Sequence, residues 1–532
     1  MSTLPLLQRK KIPLGRLAPF AVRDTLVVCQ RLFVAWLVLR TVAWTLVALA
    51  QPNPPLDVIE WVAWGRHWEL GYHKHPPLAA WAADLAVRLT PGSFLGVYAM
   101  SYLAVAVALW CVWNLGRQIL PPRAALAATL CLDGLVFLGP AAAEFNNQVL
   151  LIACWALAIE RFHAAVVHDR WRDWAITGIA LGLGLLCKYS IALLILPLLA
   201  WWLWWSRHDL LRLRTWTRPV VVALAAGLIF LPHAWWLVEH NFPTLRYAAD
   251  RAAGHGQMPD PRVTALVFLL TQMARLIPVG LILLAVLRWR RRAWDPDQAR
   301  SASLLMAAVV GPVVLHLAAG CVGVQMRDIW GAPLWTFVGL LLVVTLQTDH
   351  SGRGWSRLRL SWAIVGGGLL LVTLAGNVGG SVLRTRPLRV HYPGTHLAEE
   401  VSALYQQRFG SPPAVVAGDW WLAGNIACHA PHHPVLYGSR EPAYVGLDLA
   451  RDRGDPRRFV SPDPRNSPWT SDDEMLQAGG VLVWDAAVYG DDLPPWLHDR
   501  FPSARGQRAL VFGYLGGSAS KLRVGWAMLP PR

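Results

Sequence analysis

The chain has 532 residues, of which 55% are hydrophobic and only 15% are charged. This composition excludes an ordinary soluble protein and predicts a polytopic membrane protein. The net charge of +16 is also typical of nucleic-acid-binding proteins, but the basic residues are scattered between apolar runs and form no continuous basic surface, so we expect no nucleic-acid partner.

The apolar runs predict the fold class: mainly α, a polytopic membrane protein with a small C-terminal extracytoplasmic α/β domain. About twenty apolar residues cross a bilayer core, and irregular backbone cannot face lipid, so each run predicts a helix. The stretch 173–205 also fits one long bent segment. We predict about eleven spans, at residues 29–50, 94–115, 124–140, 148–167, 173–187, 191–205, 219–238, 263–287, 301–321, 330–347 and 361–383.

Lys and Arg are concentrated in alternate loops, and this sets the predicted orientation. The strongest element is Arg288-Trp289-Arg290-Arg291-Arg292, and such loops face the cytoplasm. Residues 1–28 are then a cytoplasmic N-terminal segment, and residues 27–50 contain a retained first span rather than a removed signal peptide. Of the seven cysteines, only Cys428 falls in the C-terminal tail, so the sequence predicts no disulfide framework.

The first outward loop opens a short helix at Asp57-Val-Ile-Glu60. The two acids share a helix face, and two interpretations stay open: a helix-capping arrangement, or carboxylates that face a cavity. Tryptophans at helical spacing predict that this helix lies in the lipid headgroup layer. They are Trp61, Trp64 and Trp68.

The same loop continues as Gly71-Tyr-His-Lys-His-Pro-Pro-Leu78. A Pro-Pro pair ends one helix and starts another, so it would hold His73, Lys74 and His75 at a corner that faces outward. The alternative is a turn with solvated charges. Two histidines at this spacing are poor evidence for a metal site without further ligands.

Two later outward positions carry isolated charges. Glu144 lies in the tight turn Ala141-Ala-Ala-Glu-Phe-Asn-Asn147, where an acid near hydrocarbon is costly unless it pairs or functions, although a helix N-terminus also favours negative charge. Lys188 lies at an outward span end. It fits either an anchor at the membrane interface or a phosphate ligand, and composition does not separate the two.

Loop 239–262 adds Arg246 and Arg251 in a mixed-charge surface that we expect to be largely solvated, and Arg327 precedes Asp328 in a later outward loop. Counting helices puts all of these acids and bases on one face of the membrane, which favours a reaction centre over a pore. A transporter, the alternative function, should have polar residues deep in its spans. Few are found here, and the strongest candidates are Asp133 and Arg275.

The composition changes after the last predicted span, and residues 384–532 predict a small α/β domain on the outward side. Residues 394–409 have helical periodicity, and residues 451–475 resemble a long loop. Five short apolar runs predict strands at residues 414–417, 435–437, 481–484, 509–512 and 522–526.

Several of these segments, taken in order, resemble one known family. The chain is similar to the polyprenyl-phosphate-sugar-dependent glycosyltransferases of the GT-C fold, specifically the bacterial family 39-like members, which are related to protein O-mannosyltransferases and lipid A aminoarabinose transferase. The resemblance covers most of residues 25–350. The matching segments are Asp57-x-x-Glu60, Gly71-Tyr72, His75-Pro-Pro-Leu78, Glu144-Phe-Asn146, Leu186-Cys-Lys188-Tyr189, Leu231-Pro-His-x-Trp-Trp236 and Trp330-Gly-Ala-Pro333.

The resemblance implies a transmembrane glycosyltransferase domain at residues 29–383, in a multi-pass protein of the bacterial inner membrane. Its active site and its C-terminal domain, residues 384–532, would be periplasmic. The donor would be a sugar on a polyprenyl phosphate, hexosyl or pentosyl. The acceptor would be a hydroxyl of a glycolipid, such as lipid A or lipopolysaccharide, or of a protein.

The resemblance also implies catalytic roles. Asp57 corresponds to the candidate base, Glu144 to an acid that orients the acceptor or helps hold a metal, and Lys188 to a ligand of the carrier phosphate. One carboxylate base and a direct displacement predict inversion at the anomeric carbon. The expected substrate-binding residues are Glu60, Tyr72, Lys74, His75, Asn146, Lys188, Tyr189, Arg246 and Arg251.

The chain departs from the family pattern in the first loop. Glu60 stands three residues after Asp57, where many relatives have adjacent acids, and Lys74-His75-Pro76 lacks the acid that precedes the lysine-proline of the aminoarabinose transferase. The sequence therefore indicates no specific cofactor, and a divalent metal stays an open alternative.

Overall fold

The structure, a computed structural model, describes residues 19–253, 260–291, 296–349, 351–379, 388–438, 467–515 and 520–532. Parts of three predicted features lie outside the described residues: residues 1–18 of the N-terminal segment, residues 380–383 of the last predicted span and residues 451–466 of the predicted loop.

The membrane part is a bundle of helices joined by short polar segments. The helices up to the centre of the chain are α1 (Pro19–Leu49), α2 (Leu56–Gly65), α3 (Leu78–Leu89), α4 (Leu95–Ile119), α5 (Pro122–Leu130), α6 (Asn147–His168), α7 (Trp171–Cys187), α8 (Ala192–Ser206), α9 (Leu213–Glu239) and α10 (Pro243–Ala253). They are followed by α11 (Pro261–Arg275), α12 (Ile277–Leu284), α13 (Pro296–Cys321), α14 (Val338–Thr345) and α15 (Gly352–Gly379), with the strands β1 (Leu287–Arg291) and β2 (Leu346–Thr348) as an antiparallel pair.

Within the described residues, eight helices have the length and apolar composition to cross a membrane. A ninth is obtained if α5 and the short helical turns after it count as one span, although the two parts are bent by 86°. The remaining two predicted spans correspond to α7, with 17 residues, and to α14, with eight. The multi-pass architecture is therefore confirmed, while two of the eleven predicted spans are shorter helices inside the bundle.

Small residues let α7 pack tightly against α9. A Cβ added at Gly178 would lie 2.5 Å from the carbonyl oxygen of Val222, and one at Gly182 would lie 2.9 Å from that of Ala226. Glycines four residues apart share one helix face, so two backbones can approach closely there. This packing fixes the end of α7, where Lys188 follows.

Asp133 and Arg275, the two residues of the transporter interpretation, each have partners within the protein. Asp133, after α5, accepts hydrogen bonds from Arg40 Nε on α1 at 2.5 Å and from the indole N–H groups of Trp36 and Trp362 at 2.9 and 2.7 Å. Arg275 instead donates to Asp328 at 2.8 Å. Neither residue of the transporter interpretation therefore lines a polar pathway, because each is engaged by a partner inside the protein.

The C-terminal region is a five-stranded sheet with helices on it. Its elements are α16 (Gly394–Phe409), β3 (Val415–Gly418), α17 (Trp420–His429), β4 (Val435–Gly438), α18 (Asp472–Ala478), β5 (Gly480–Asp485), α19 (Ala486–Tyr489), α20 (Pro495–His498), β6 (Gly506–Gly513) and β7 (Lys521–Leu529). The strand order is β4-β3-β5-β7-β6, with the first three strands parallel and the last two antiparallel. Each of the five predicted strands and the predicted helix at 394–409 is confirmed.

The sheet region is docked on the membrane part through α17, which lies against α2. Arg66 Nη1 at the end of α2 donates to the carbonyl oxygen of Ala427 at 2.7 Å, and the Cys428 thiol donates to that of Ile59 at 3.4 Å. A Cβ at Gly424 would lie 2.9 Å from the Ile59 side chain. The helix that carries the first-loop acids is therefore covered by a helix from the C-terminal region.

Candidate active site

Helix α2 places Asp57 in its first turn, but not as a cap. The residue before the helix is Pro55, and no side chain caps this N-terminus. The predicted capping arrangement of Asp57 and Glu60 is therefore wrong, which leaves both carboxylates available for contacts with other segments.

Glu60 forms a buried ion pair with Lys74 of the same loop. The Lys74 ammonium lies 2.5 Å from a Glu60 carboxylate oxygen, and the two side chains are only 6% and 7% exposed. The ammonium also lies 5.5 Å from the ring centroid of Trp64 and 5.7 Å from that of Trp420, within cation–π range. The alternative of a turn with solvated charges is wrong, because Lys74 lies inside the protein.

The tryptophan stripe of α2 is also inside the protein. Trp61 and Trp64 are buried, and only Trp68, stacked on Trp81, is exposed. The Trp64 ring meets Trp420 of α17 edge-on at 6.0 Å. Trp61 and Trp64 therefore pack inside the protein and do not contact lipid headgroups, since α17 covers their face of the helix.

Asn146 joins the second outward turn to Asp57. Its side-chain carbonyl caps α6 by accepting from the backbone N–H groups of Gln148 at 2.9 Å and Val149 at 3.3 Å. Its amide then donates to Asp57 Oδ2 at 2.9 Å. The cap fixes which end of the amide faces Asp57, so the carboxylate receives a donor that stabilises its charged form. Asn146, and not Glu144, is the N-cap of α6, and Glu144 lies two residues before it.

Glu144 lies beside Asp57, and we call these two residues the acid pair. Burial and then the negative charge of Asp57 raise the pKa of Glu144 to about 7, while the Asp57 backbone N–H and the charge of Arg389 oppose this rise. Two neighbouring carboxylates resist double ionisation. One carboxylate with a dedicated donor and a neighbour that titrates near neutral pH is an arrangement suited to proton transfer.

Three bases from separate segments form what we call the cation cluster: Lys188, Arg251 and Arg327. Burial lowers the pKa of Lys188 to about 7; Asp57 opposes this, and the charges of Arg251 and Arg327 reinforce it. The Lys188 ammonium lies 5.5 Å from the ring centroid of Trp330. A lysine among cations regains its proton most readily beside an anion, so the cluster is suited to bind a phosphate.

His75 belongs to the first loop and lies near the cation cluster. Its ring stacks on Trp61 with centroids 5.6 Å apart and meets Tyr247 at 5.8 Å. Burial, followed by the charges of Lys188, Lys74, His73 and Arg251, holds the pKa of His75 well below its usual value. His75 is therefore neutral at physiological pH and able to donate and accept one hydrogen bond each.

Tyr189 follows Lys188 and is held in a chain of hydrogen bonds. Its hydroxyl lies 2.6 Å from Thr244 Oγ1 and 2.7 Å from His233 Nε2, and His233 Nδ1 lies 2.7 Å from the carbonyl oxygen of Leu70. Because a carbonyl only accepts, Nδ1 carries the proton, and a neutral ring then accepts from Tyr189. This chain fixes the first loop against the break between α7 and α8.

Two of the predicted substrate-binding residues differ from the others in position. Arg246 is exposed on α10, and within the described residues no hydrogen bond or ion pair joins its side chain to the acid pair or the cation cluster. Tyr72 is 1% exposed, stacks on Trp64 with centroids 5.2 Å apart and donates to the Trp64 carbonyl oxygen at 3.2 Å. Its contacts support the loop from inside.

The structure adds residues that sequence reasoning did not single out for the site. Trp420 and Arg389 come from the C-terminal region, and no local pattern marks them. Thr244 is equally unmarked. By contrast, His233 and Trp330 lie in two segments that resemble the family, Leu231-Pro-His-x-Trp-Trp236 and Trp330-Gly-Ala-Pro333. These two residues could therefore have been found from the sequence.

The described residues contain no preformed cluster of metal ligands. No group of three or more His, Cys, Asp or Glu side chains gathers there in a way that could hold an ion. Lys74 has its ammonium beside Glu60 and so places a positive charge in the first loop.

Comparisons with known proteins match this chain to membrane glycosyltransferases. A family model described as dolichyl-phosphate-mannose-protein mannosyltransferase matches residues 74–236. The lipid A galacturonosyltransferase RgtD of Rhizobium johnstonii is 24% identical over 213 residues, which are 37% of this chain and 41% of that protein. The lipopolysaccharide core galacturonosyltransferase RgtA of the same organism is 24% identical over 405 residues, 72% of this chain and 77% of that protein.

Solved structures share the fold. ArnT from Cupriavidus metallidurans bound to undecaprenyl phosphate superposes with a TM-score of 0.59 at 15% identity, covering 93% of this chain and 97% of that one. The same protein in the apo state gives a TM-score of 0.58 at 14% identity, covering 96% and 98%. At such low identity the likeness concerns the fold, which is the GT-C fold with a small sheet in the C-terminal region.

Proposed function

We propose that this chain, a GT-C glycosyltransferase related to ArnT and to the dolichyl-phosphate-mannose-protein mannosyltransferases, moves a sugar from a polyprenyl phosphate to a hydroxyl of an envelope glycolipid. One observation carries the proposal: the acid pair and the cation cluster, which lie far apart in sequence, are brought together at one end of the helix bundle. A base and a phosphate site side by side are what this transfer requires.

In the mechanism we propose, Asp57 accepts the proton of the acceptor hydroxyl as its oxygen attacks the anomeric carbon. The bond between that carbon and the phosphate oxygen breaks, and its electron pair stays on the phosphate. Lys188 and Arg251 stabilise the charge that develops on the leaving polyprenyl phosphate. Attack opposite the leaving group inverts the anomeric centre. Glu144, which titrates near neutral pH, orients the acceptor.

The contacts of the remaining predicted residues support positioning roles. Asn146 orients Asp57, and the Glu60–Lys74 pair fixes the first loop. Tyr189, through His233, holds the segment that carries Lys188. His75 lies beside the phosphate site. We propose that Arg246, on an exposed surface of α10, contacts lipid headgroups or substrate only at the rim.

For the sugar, we propose a hexuronic acid rather than a neutral hexose or a pentose. Three relatives are named galacturonosyltransferases, with RgtA and RgtB of Rhizobium johnstonii matching about 70% of this chain. The cation cluster would bind the sugar carboxylate as well as the phosphate. The same relatives support lipid A or the lipopolysaccharide core as the acceptor class.

We further propose that the acid pair and the sheet region face the periplasm, because Lys and Arg are concentrated in the loops at the other end of the helices. A membrane-impermeant thiol reagent on intact cells tests this orientation, with the exposed Cys321 replaced by serine. Arg246→Cys should react and Arg353→Cys should not. The reverse labelling would refute the orientation.

The central experiment replaces the base. Purified protein in proteoliposomes is given polyprenyl phosphate-linked galacturonic acid and lipid A, and the product is measured by mass spectrometry. Asp57→Asn should reduce transfer by roughly 10²-fold or more. Glu69→Gln, which removes a nearby acid of the same loop, is the matched control and should stay near wild type. Transfer by Asp57→Asn at the wild-type rate would overturn the base assignment.

A further inference from the structure

We propose that Trp420, in the C-terminal region, is a positioning residue of the active site: its ring closes the enclosure that holds the Glu60–Lys74 pair and, through that pair, sets the geometry of the acid pair and of His75. This inference rests on the proposed function for its activity readout. It assigns the C-terminal region a part in positioning the active site.

The enclosure has two aromatic walls from distant parts of the chain. Trp64 on α2 and Trp420 on α17 are 0% and 5% exposed. The Lys74 ammonium lies 5.5 Å from the ring centroid of the first and 5.7 Å from that of the second. Water is excluded from the ammonium on these sides. The attraction between the two charges is stronger in a dry site of low dielectric constant, and it weakens when water enters.

The Trp420 ring is held in place by its own region. Asp419 caps α17 by accepting from the backbone N–H groups of Trp421 and Leu422 at 3.0 Å. The ring packs on the end of β4, where a Cβ on Gly438 would lie 2.1 Å from it. Only a glycine leaves room for the indole there. The Trp420 ring is therefore held rigidly, and the packing of α17 against α2 places it beside Lys74.

The enclosed pair is linked to the chemistry on both sides. Glu60 lies three residues after Asp57 on the same helix, so its pairing fixes the rotation of the α2 turn that presents the base. Lys74 directly precedes His75, whose ring stacks on Trp61 and whose pKa is lowered in part by the charge of Lys188. If the ion pair were loosened, Asp57 and His75 would no longer be held in position. A misplacement of about 1 Å is enough to slow a reaction strongly.

The contact uses the ring face rather than the indole N–H. Among the residues that the structure describes, the Nε1 atoms of Trp64 and Trp420 have no hydrogen-bond partner. A phenyl ring keeps a π face but has no N–H group. Trp420→Phe should therefore preserve the function, whereas Trp420→Ala should open the enclosure.

The activity test compares three variants in the proteoliposome assay. Trp420→Ala should lower kcat at least tenfold while changing KM for the donor by less than threefold, and Trp420→Phe should restore kcat to within threefold of wild type. Trp496→Ala is the control, because Trp496 is a half-buried tryptophan of the same region whose ring meets Tyr489. An equal loss in Trp496→Ala, or no loss in Trp420→Ala, would overturn the proposal.

A second readout does not depend on activity. Lysine acylation followed by mass spectrometry should leave Lys74 protected in the wild type and in Trp420→Phe, and should modify it in Trp420→Ala. The exposed Lys521 reports equal reagent exposure in all samples. If Lys74 stays protected in Trp420→Ala, the enclosure is refuted. If its protection changes as expected but the wild type transfers no sugar, the proposed function fails and the enclosure stands.

Discussion

Replacing Asn146 with aspartate separates the two tasks of this side chain. Asn146 caps α6 with its carbonyl oxygen and donates to Asp57 with its amide at 2.9 Å. Aspartate is an equally good cap, so α6 should form as before. The donor that faces Asp57, however, becomes a carboxylate oxygen.

The size of the effect follows from the distance. Two unit charges 2.9 Å apart repel by about 6 kcal/mol at an effective dielectric constant of about 20. This corresponds to a pKa rise of about four units for one of the two carboxyls. The backbone N–H groups of Gln148 and Val149 stabilise the ionised form at position 146. The proton is therefore held by Asp57, and the pKa of Asp57 rises in the variant.

A base whose pKa is raised in this way is ionised in only a small fraction of the molecules at pH 7. Relative to the wild type at the same pH, Asn146→Asp should therefore lose about tenfold in transfer rate at pH 7, and this ratio should recover as the pH rises to about 9. Asn146→Ser keeps the cap without adding charge, and its loss should not depend on pH in this way. Proteoliposome rates from pH 6 to 9 measure both, with thermal unfolding as the check on folding. Wild-type activity of Asn146→Asp at pH 7 would refute the reasoning.

Two other perturbations test separate parts of the structure. Because burial lowers the pKa of Lys188 to about 7, kcat/KM for the donor should fall as the pH of the assay rises above about 7. Lys188→Arg should move this fall to higher pH, since arginine stays protonated; an unchanged profile would exclude Lys188 as the group that titrates. Arg40→Met leaves Asp133 buried without the arginine and should destabilise the bundle by about 3–5 kcal/mol. The double variant Arg40→Met/Asp133→Asn should recover most of that loss with unchanged transfer per folded molecule, and a loss of transfer in the folded double variant would contradict a structural role.

Some features of the site follow from the sequence because they depend on local or topological rules. Alternating apolar and polar segments place Asp57, Glu144 and Lys188 at one end of the bundle, whatever the details of packing. The strands and the helix at residues 394–409 follow from periodicity and turn residues. The number of spans does not follow from hydropathy alone. Helix α14 is short and the segment after α5 is bent, and hydropathy detects neither a short helix nor a bend.

The sequence by itself determined that this is a membrane protein with its unusual acids and bases at one end and a small α/β region after the last span. Only the tertiary structure decided what those charges touch. The Trp64 side chain is equally suited to lipid headgroups or to a protein interior, and Lys74 to solvent or to an ion pair. The choice was made by α17, some 350 residues away in sequence, because burial and pairing are properties of contacts between distant segments, and no local pattern encodes which segment will cover another.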